Sequence, residues 1–228
     1  MDFDVIIVGA GPSGLATACK LAQLAQTAGM ELNIALLEKG AEVGSHIISG
    51  ALLEPEALTE LFPDWAADGA PVNTLVSSED VLYLRSTSSF RIPDFLVPAD
   101  LHNVKRSYVI SLGSLCRWLG KQAEELGVNV LTGFAASDLL YDEQGQVVGV
   151  QTGDLGITRT GEAGSNYTPG YELFAPYTVL AEGCRGHLGK DVIKRYDLDR
   201  DCGPQHYALG IKEIWEIPAD KARPGHVM

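Results

Sequence analysis

The chain has 228 residues, 46% of them hydrophobic and 21% charged, a balance that excludes a disordered protein. Its net charge of −13 makes nucleic acid an improbable partner, because phosphates would be repelled. No stretch approaches the roughly 20 apolar residues that cross a bilayer. The four cysteines, Cys19, Cys116, Cys184 and Cys202, form no CxxC pair and no metal-ligand spacing.

The N-terminus enters a β-branched run, Asp4 to Val8, with no basic segment and no Arg-rich presequence before it, so no signal or transit peptide is expected. Gly9-Ala10-Gly11-Pro12-Ser13-Gly14 follows at once, and a helical pattern runs from Leu15 to Leu24 and on to Gly29. A strand, a tight glycine turn and a helix N-terminus together make a site for a diphosphate. Gly9 allows the turn, Gly11 the approach of backbone to phosphate, and Gly14 close packing of helix on strand. The helix dipole then favours the anion. The second strand, Leu32 to Leu37, ends in Glu38, 24 positions after Gly14 (38 − 14), against a usual spacing of about 20. A carboxylate there accepts hydrogen bonds from ribose hydroxyls and repels a 2′-phosphate, which favours FAD or NAD over NADP. The bland reading makes the glycines a structural turn and Glu38 a solvated strand end.

Lys39 to Gly50, with Gly44 in its middle, reads as a loop passing close to a ligand. Pro55 opens a short helix, Glu56 to Phe62. Residues 70–107 read as a β-rich insertion holding Pro71, Pro93 and Pro98, with a hairpin of Val81–Leu84 and Phe90–Ile92 around Ser86–Ser89. A strand at Tyr108–Ile110, a helix from Ser114 to Leu126 and a strand at Val128–Leu131 come next. Leu139–Tyr141 and Val147–Val150 form a hairpin around Asp142–Gly145. Thr158 to Gly170 reads as an irregular Gly/Ser/Thr-rich connection. Tyr177 to Ala181 is a buried strand ending in Glu182-Gly183, a turn that belongs at the same sheet edge as Gly9. A helix over Leu188–Tyr196 and a last strand over Tyr207–Ile217 complete the pattern. The fold class is α/β: a parallel sheet flanked by helices, of the dinucleotide-binding Rossmann type.

Several of these blocks resemble one family, the electron transfer flavoprotein–ubiquinone oxidoreductases. The similar stretches are DVIIVGAGPSGLATACKLAQ (4–23), LLEKGAEVGSHIISGALLEPEALTELFPDWAADGAPVNT (36–74), the run from Leu115 to Ile157, LAEGCRGHLGK (180–190) and YALGIKEIWEI (207–217). ELFPDW with GAPVNT, and the AEGCRGHL turn, are far more specific than the glycine motif.

The resemblance implies an FAD held by Gly9, Ala10, Gly11, Pro12, Ser13, Gly14 and Glu38, with Lys39 and Gly44 in the adjoining loop. It also implies adenine contacts from backbone at Ala135 and Ala136, and diphosphate or flavin contacts near Gly183. It implies electron transfer flavoprotein and ubiquinone as partners, and a peripheral place on the cytoplasmic side of the inner or cytoplasmic membrane. The family also carries a 4Fe–4S cluster on cysteines in a C-terminal region; its ligands are not in this chain, which reads as a C-terminally incomplete portion, inactive alone in electron transfer to quinone. No catalytic residue is assigned, because the flavin does the redox work. His46 reads as a hydrogen-bonded loop histidine, Arg185 as either a phosphate neutraliser or a solvated cation, and Cys184 as a packed thiol. Leu82, Leu84, Phe95, Leu96 and Val97, within 81–98, are either an apolar ridge for a membrane surface or side chains packed on the sheet. Two other functions share the glycine start: a nicotinamide-dependent FAD reductase or monooxygenase of the geranylgeranyl-reductase/hydroxylase type, and a non-enzymatic nucleotide-binding module.

Overall fold

The computed structural model describes residues 1–47, 50–158 and 160–228. Ile48 and Ser49, at the end of the expected ligand loop, and Arg159, in the Thr158–Gly170 connection, lie outside these described residues. The chain folds as two compact units, each from discontinuous stretches: Met1–His46 with Cys116–Gly210, and Ile47–Leu115 with Ile211–Met228.

The first unit is built on β1 (Val5–Val8), α1 (Pro12–Thr27), β2 (Ile34–Glu38), the Cys116–Glu125 part of α2 (Leu112–Glu125) and β3 (Asn129–Thr132). It continues through β4 (Ala136–Tyr141), β5 (Val147–Thr152), β6 (Leu155–Ile157), β7 (Ala163–Thr168), β8 (Glu172–Phe174), β9 (Tyr177–Leu180) and α3 (His187–Tyr196). Four of the strands make a parallel sheet in the order β9-β1-β2-β3. Val5 pairs with Tyr177 on one side and Ile34 on the other, so the first strand of the chain lies between the last strand of the sheet and the second. All of Val5–Val8 is buried. That accounts for an unbroken β-branched sequence rather than an alternating one.

The two faces of this sheet are covered differently. Ile6, Val8, Ala35 and Leu37 pack with Ala136, Val150, Leu173, Ala175 and Leu188. That face is therefore filled by the antiparallel sheet β4-β5-β8, with α3 contributing Leu188. Val5, Ile7, Ile34 and Leu36 point the other way by strand alternation, and α1 packs against β1 and β2. The buried stripe of α1, Leu15, Ala18, Cys19, Ala22 and Ala25, recurs at helical spacing. Cys19 Sγ sits 3.8 Å from the Leu119 carbonyl of α2, which joins the two helices.

The second unit contains the antiparallel strands Gly50–Leu53, Tyr108–Ser111 and Thr74–Leu75, and the short helix Glu56–Leu61. It also holds the hairpin Leu82–Leu84/Ser89–Arg91, with Tyr83 opposite Phe90. His226–Val227 runs parallel to Ser78–Glu79.

Four expectations need correction. Gly50 opens a strand rather than ending a loop, because its neighbours Ala51–Leu53 pair with Tyr108–Ile110. The Thr158–Gly170 connection contributes an antiparallel ribbon, with Leu155 opposite Thr168 and Ile157 opposite Ala163; small polar residues suit an exposed ribbon. Tyr207–Ile217 joins no β-ladder among the described residues, and Leu209, Ile211 and Trp215 are exposed; an apolar run without a ladder is not a strand. Cys184 is exposed rather than packed, whereas Cys19 and Cys116 are buried as expected. Burial pushes the Cys19 thiol up to about 12 and the Cys116 thiol up to about 11.

Candidate functional site

Three chain segments meet at the C-terminal edge of the parallel sheet: the turn after β1, the end of β2 and the turn after β9. Gly9 N donates to the Leu37 carbonyl (2.9 Å), and Ala181 N donates to the Val8 carbonyl (2.8 Å). Gly9 adopts φ +104°, and a Cβ on it would lie 2.6 Å from the Ala181 carbonyl oxygen. Both demands exclude any other residue there. A Cβ on Gly14 would overlap the Gly9 carbonyl, so this glycine lets α1 start directly against the strand it follows.

Gly11 is different. It is the N-cap of α1, it is extended (φ −78°, ψ −178°), and a Cβ on it would meet nothing within 4 Å. No side chain caps this helix, and its first turn has no acidic residue. Pro12 fills a first-turn position where an absent N–H costs nothing. The positive end of this 16-residue helix therefore has no acidic residue in its own first turn and open space beside the Gly11 α-carbon. This arrangement fits a diphosphate.

Glu38, only 13% exposed, turns its carboxylate toward that opening. Oε2 accepts from Ala10 N (3.3 Å), and Oε1 accepts from Gly40 N (2.7 Å). Lys39 is exposed and Gly44 is buried in the loop that follows. His46 is largely exposed, with Nδ1 3.9 Å from Glu38 Oε1. Ala135 and Ala136 follow the end of β3. Phe134 N donates to the Glu38 carbonyl (3.0 Å) and Gly133 N to the Gly40 carbonyl (2.8 Å), which ties this stretch to the β2 end. The Ala135 carbonyl accepts from Gly153 N (2.8 Å), and Ala136 is buried opposite Thr152.

Gly183 is exposed in the turn after β9. Beside it, Glu182 turns toward the start of α3. Its oxygens accept from Leu188 N (3.3 Å) and Gly189 N (2.9 Å), and His187 Nδ1 lies 3.4 Å away. The side chain, 11% exposed, thus caps the first turn of α3 from outside the helix. His187 Nε2 lies 3.1 Å from the Ser137 carbonyl. Arg185 is exposed, as the solvated reading expects, and its guanidinium lies over the Tyr207 ring (5.4 Å to the centroid). Sequence reasoning left out Gly40 and Glu182. The first was hidden in a glycine-rich loop; the second reads as a strand end until the helix behind it is seen.

Among the described residues, no group of three or more His, Cys, Asp or Glu side chains could hold a metal ion. The four thiols do not fit a 4Fe–4S cluster: two are sealed in the core and two are exposed apart from any such group.

Comparison with known proteins bears on the fold and on the relatives of this chain. Residues 7–73 match the NAD(P)-binding Rossmann-like domain family. The electron transfer flavoprotein–ubiquinone oxidoreductase of Pseudomonas aeruginosa is 55% identical over 230 residues, covering 100% of this chain and 42% of that protein. The mitochondrial proteins of the same name from Dictyostelium discoideum and Mus musculus are 50% and 46% identical, covering 99% and 98% of this chain and 37% and 36% of theirs. The chain thus spans less than half the length of the curated relatives it matches. Among solved structures, a geranylgeranyl bacteriochlorophyll reductase-like protein from Thermoplasma acidophilum superposes with a TM-score of 0.56 at 19% identity, covering 83% of this chain and 41% of that one. The myxobacterial FAD-dependent halogenase CndH gives 0.53 at 20% identity, covering 83% and 39%. These two likenesses bear on the fold alone.

Proposed function

We propose that this chain, which is related along its whole length to the N-terminal part of the electron transfer flavoprotein–ubiquinone oxidoreductases, is the FAD-holding portion of such an enzyme. The oxidoreductase accepts electrons from reduced electron transfer flavoprotein and passes them to ubiquinone. The observation that carries this reading is 55% identity across 100% of the chain, with a glycine turn open to an anion and an acid aimed beside it.

In this reading each residue has a physical task. The Gly9–Gly14 backbone and the N-terminus of α1 face the diphosphate, and Glu38 accepts from the ribose hydroxyls. Backbone at Ala135 and Ala136 borders the adenine. Lys39 and Gly44 shape the wall beside the ribose, and Gly183 keeps the turn after β9 low enough for the flavin half to pass. When bound, FAD supplies the electron relay, and the protein sets its access and potential. No acid or base on this chain is required.

Purified chain titrated with FAD should quench flavin fluorescence saturably, and anaerobic NADH should leave the bound flavin oxidised. Rapid bleaching by NADH would point instead to the nicotinamide-dependent reductase class. Binding of ADP without FAD would leave only a nucleotide-binding module.

The same reading includes peripheral contact with a membrane through residues 81–98. Leu84, Phe95 and Leu96 are 72%, 84% and 63% exposed, and Tyr83 and Phe90 join them on the hairpin. Leu82 and Val97 are half-buried. No helix among the described residues is long and apolar enough to cross a membrane. Flotation with liposomes should weaken on Phe95→Asp and Leu96→Asp; unchanged flotation removes the membrane contact.

A further inference from the structure

We propose that Gly40 is a positioning residue for the adenosine half of the bound dinucleotide, acting through the Glu38 carboxylate and the Gly133–Ala135 turn. The inference rests on the FAD reading above and goes beyond it, since no ligand is expected to touch Gly40 itself.

Gly40 is a node rather than a hinge. Its N–H donates to Glu38 Oε1 at 2.7 Å, and its carbonyl accepts from Gly133 N at 2.8 Å. One residue therefore grips the acid with its amide and the turn before Ala135 with its carbonyl. Glu38 adds a parallel link, its own carbonyl accepting from Phe134 N at 3.0 Å. The residue is buried, and its φ is not positive, so conformational freedom is not what the position demands. Space is. A Cβ would overlap Ser45 Oγ, lie 3.0 Å from Glu38 Oε1 and lie 3.2 Å from the Glu42 carbonyl.

A glutamate at a strand end ordinarily swings in solvent, and ordering its side chain costs rotamer entropy. Here one oxygen is clamped by Gly40 and the other by Ala10, while a carboxylate has about four lone-pair sites to offer. The clamp leaves acceptor capacity for two ribose hydroxyls without further ordering. It also sets the distance between that acid and the backbone proposed to border the adenine. Preorganisation of this kind raises affinity by removing a cost of binding, not by adding a contact.

The test uses the chain itself. Wild type, Gly40→Ala and Gly40→Ala/Ser45→Ala would be titrated with ADP and with FAD, and their melting temperatures compared. Gly40→Ala should bind both ligands roughly tenfold more weakly or worse, as expected for disturbing a charged hydrogen bond. The double variant removes the Ser45 overlap and should recover melting temperature but not affinity, because the Cβ still crowds Glu38. Recovery of affinity together with melting temperature, or wild-type affinity in a folded Gly40→Ala, overturns the inference. A second measurement does not depend on the variants folding: in the wild-type chain, ADP should shift the amide resonances of Gly40 and Gly133 together. ADP binding without such shifts also overturns it. Failure of the wild type to bind either ligand is distinct, since it would remove the FAD reading along with this one.

Discussion

The edge of the parallel sheet and the hairpin at 82–91 use side chains in opposite ways. At the sheet edge close packing leaves no room for side chains at three positions: Gly9, Gly14 and Gly40 each sit where a Cβ would strike another atom. On the hairpin and the turns after it the backbone is ordinary, and large apolar side chains stand in water, Phe95 at 84% exposure among them. The first region is intolerant because it is packed at atomic contact. The second is tolerant because those groups are largely exposed. Substitution at those glycines is therefore expected to cost stability, whereas substitution of the exposed hairpin side chains is not.

The sharpest break of that contrast lies within the glycine turn itself. Gly14→Val should cost about 3 kcal/mol or more, or prevent folding, since its β-carbon overlaps the Gly9 carbonyl. Gly11→Ala meets nothing within 4 Å and should cost about 1 kcal/mol or less, the usual loss at an N-cap. Yet Gly11→Ala should abolish most FAD binding. Urea unfolding read beside flavin fluorescence separates the structural glycine from the ligand-facing one; equal stability losses would merge them.

Next in size is a pair drawn from the two regions. Leu188→Ala empties a fully buried site against Ile6 and Val8 and should lose about 2–5 kcal/mol. Leu84→Ser should change stability by about 0.5 kcal/mol or less in the same assay. A large loss at Leu84 would mean the hairpin is packed after all.

Glu182→Ala sharpens the picture of the second turn. Removing its two acceptors from the amides of Leu188 and Gly189 should cost about 1–2 kcal/mol. Binding of ADP should stay within about twofold, because the carboxylate faces α3. A selective loss of ligand affinity would instead make Glu182 a ligand contact.

The smallest effect is a pH dependence in the second unit. Glu79 is held below its ordinary value of 4.5, first by the Asn103 N–H (2.7 Å) and then by the His102 imidazole (2.6 Å). Its folded value lies below its unfolded one, so the stabilisation is present above about pH 4.5 and is lost as pH falls through the folded value. Thermal melts of Glu79→Gln should show a flatter acid limb than wild type. An unchanged limb would mean that the pair contributes nothing.

The nucleotide-binding half of this fold was legible in the sequence because its signals are local. A β-branched run, a glycine turn and a helical stripe sit next to one another, and each constrains its neighbour through chain connectivity. Glu38 was legible as a strand end with a charge. Tyr207–Ile217 misled for a matching reason: its composition suits a strand, but a strand exists only in a ladder, and no ladder among the described residues includes it.

From the residues alone one could say that this chain turns sharply after its first strand, starts a helix on glycine and places an acid at the end of the next strand. Folding decided the rest. It set the late strand Tyr177–Leu180 beside the first, put an antiparallel sheet on one face, turned Glu182 back to cap a helix and made Gly40 the point where acid and turn are joined. Those outcomes depend on which segments share space, whether near in the chain, as Glu182 and α3, or far apart, as Gly40 and Gly133, and such bonds leave no periodic trace in the sequence.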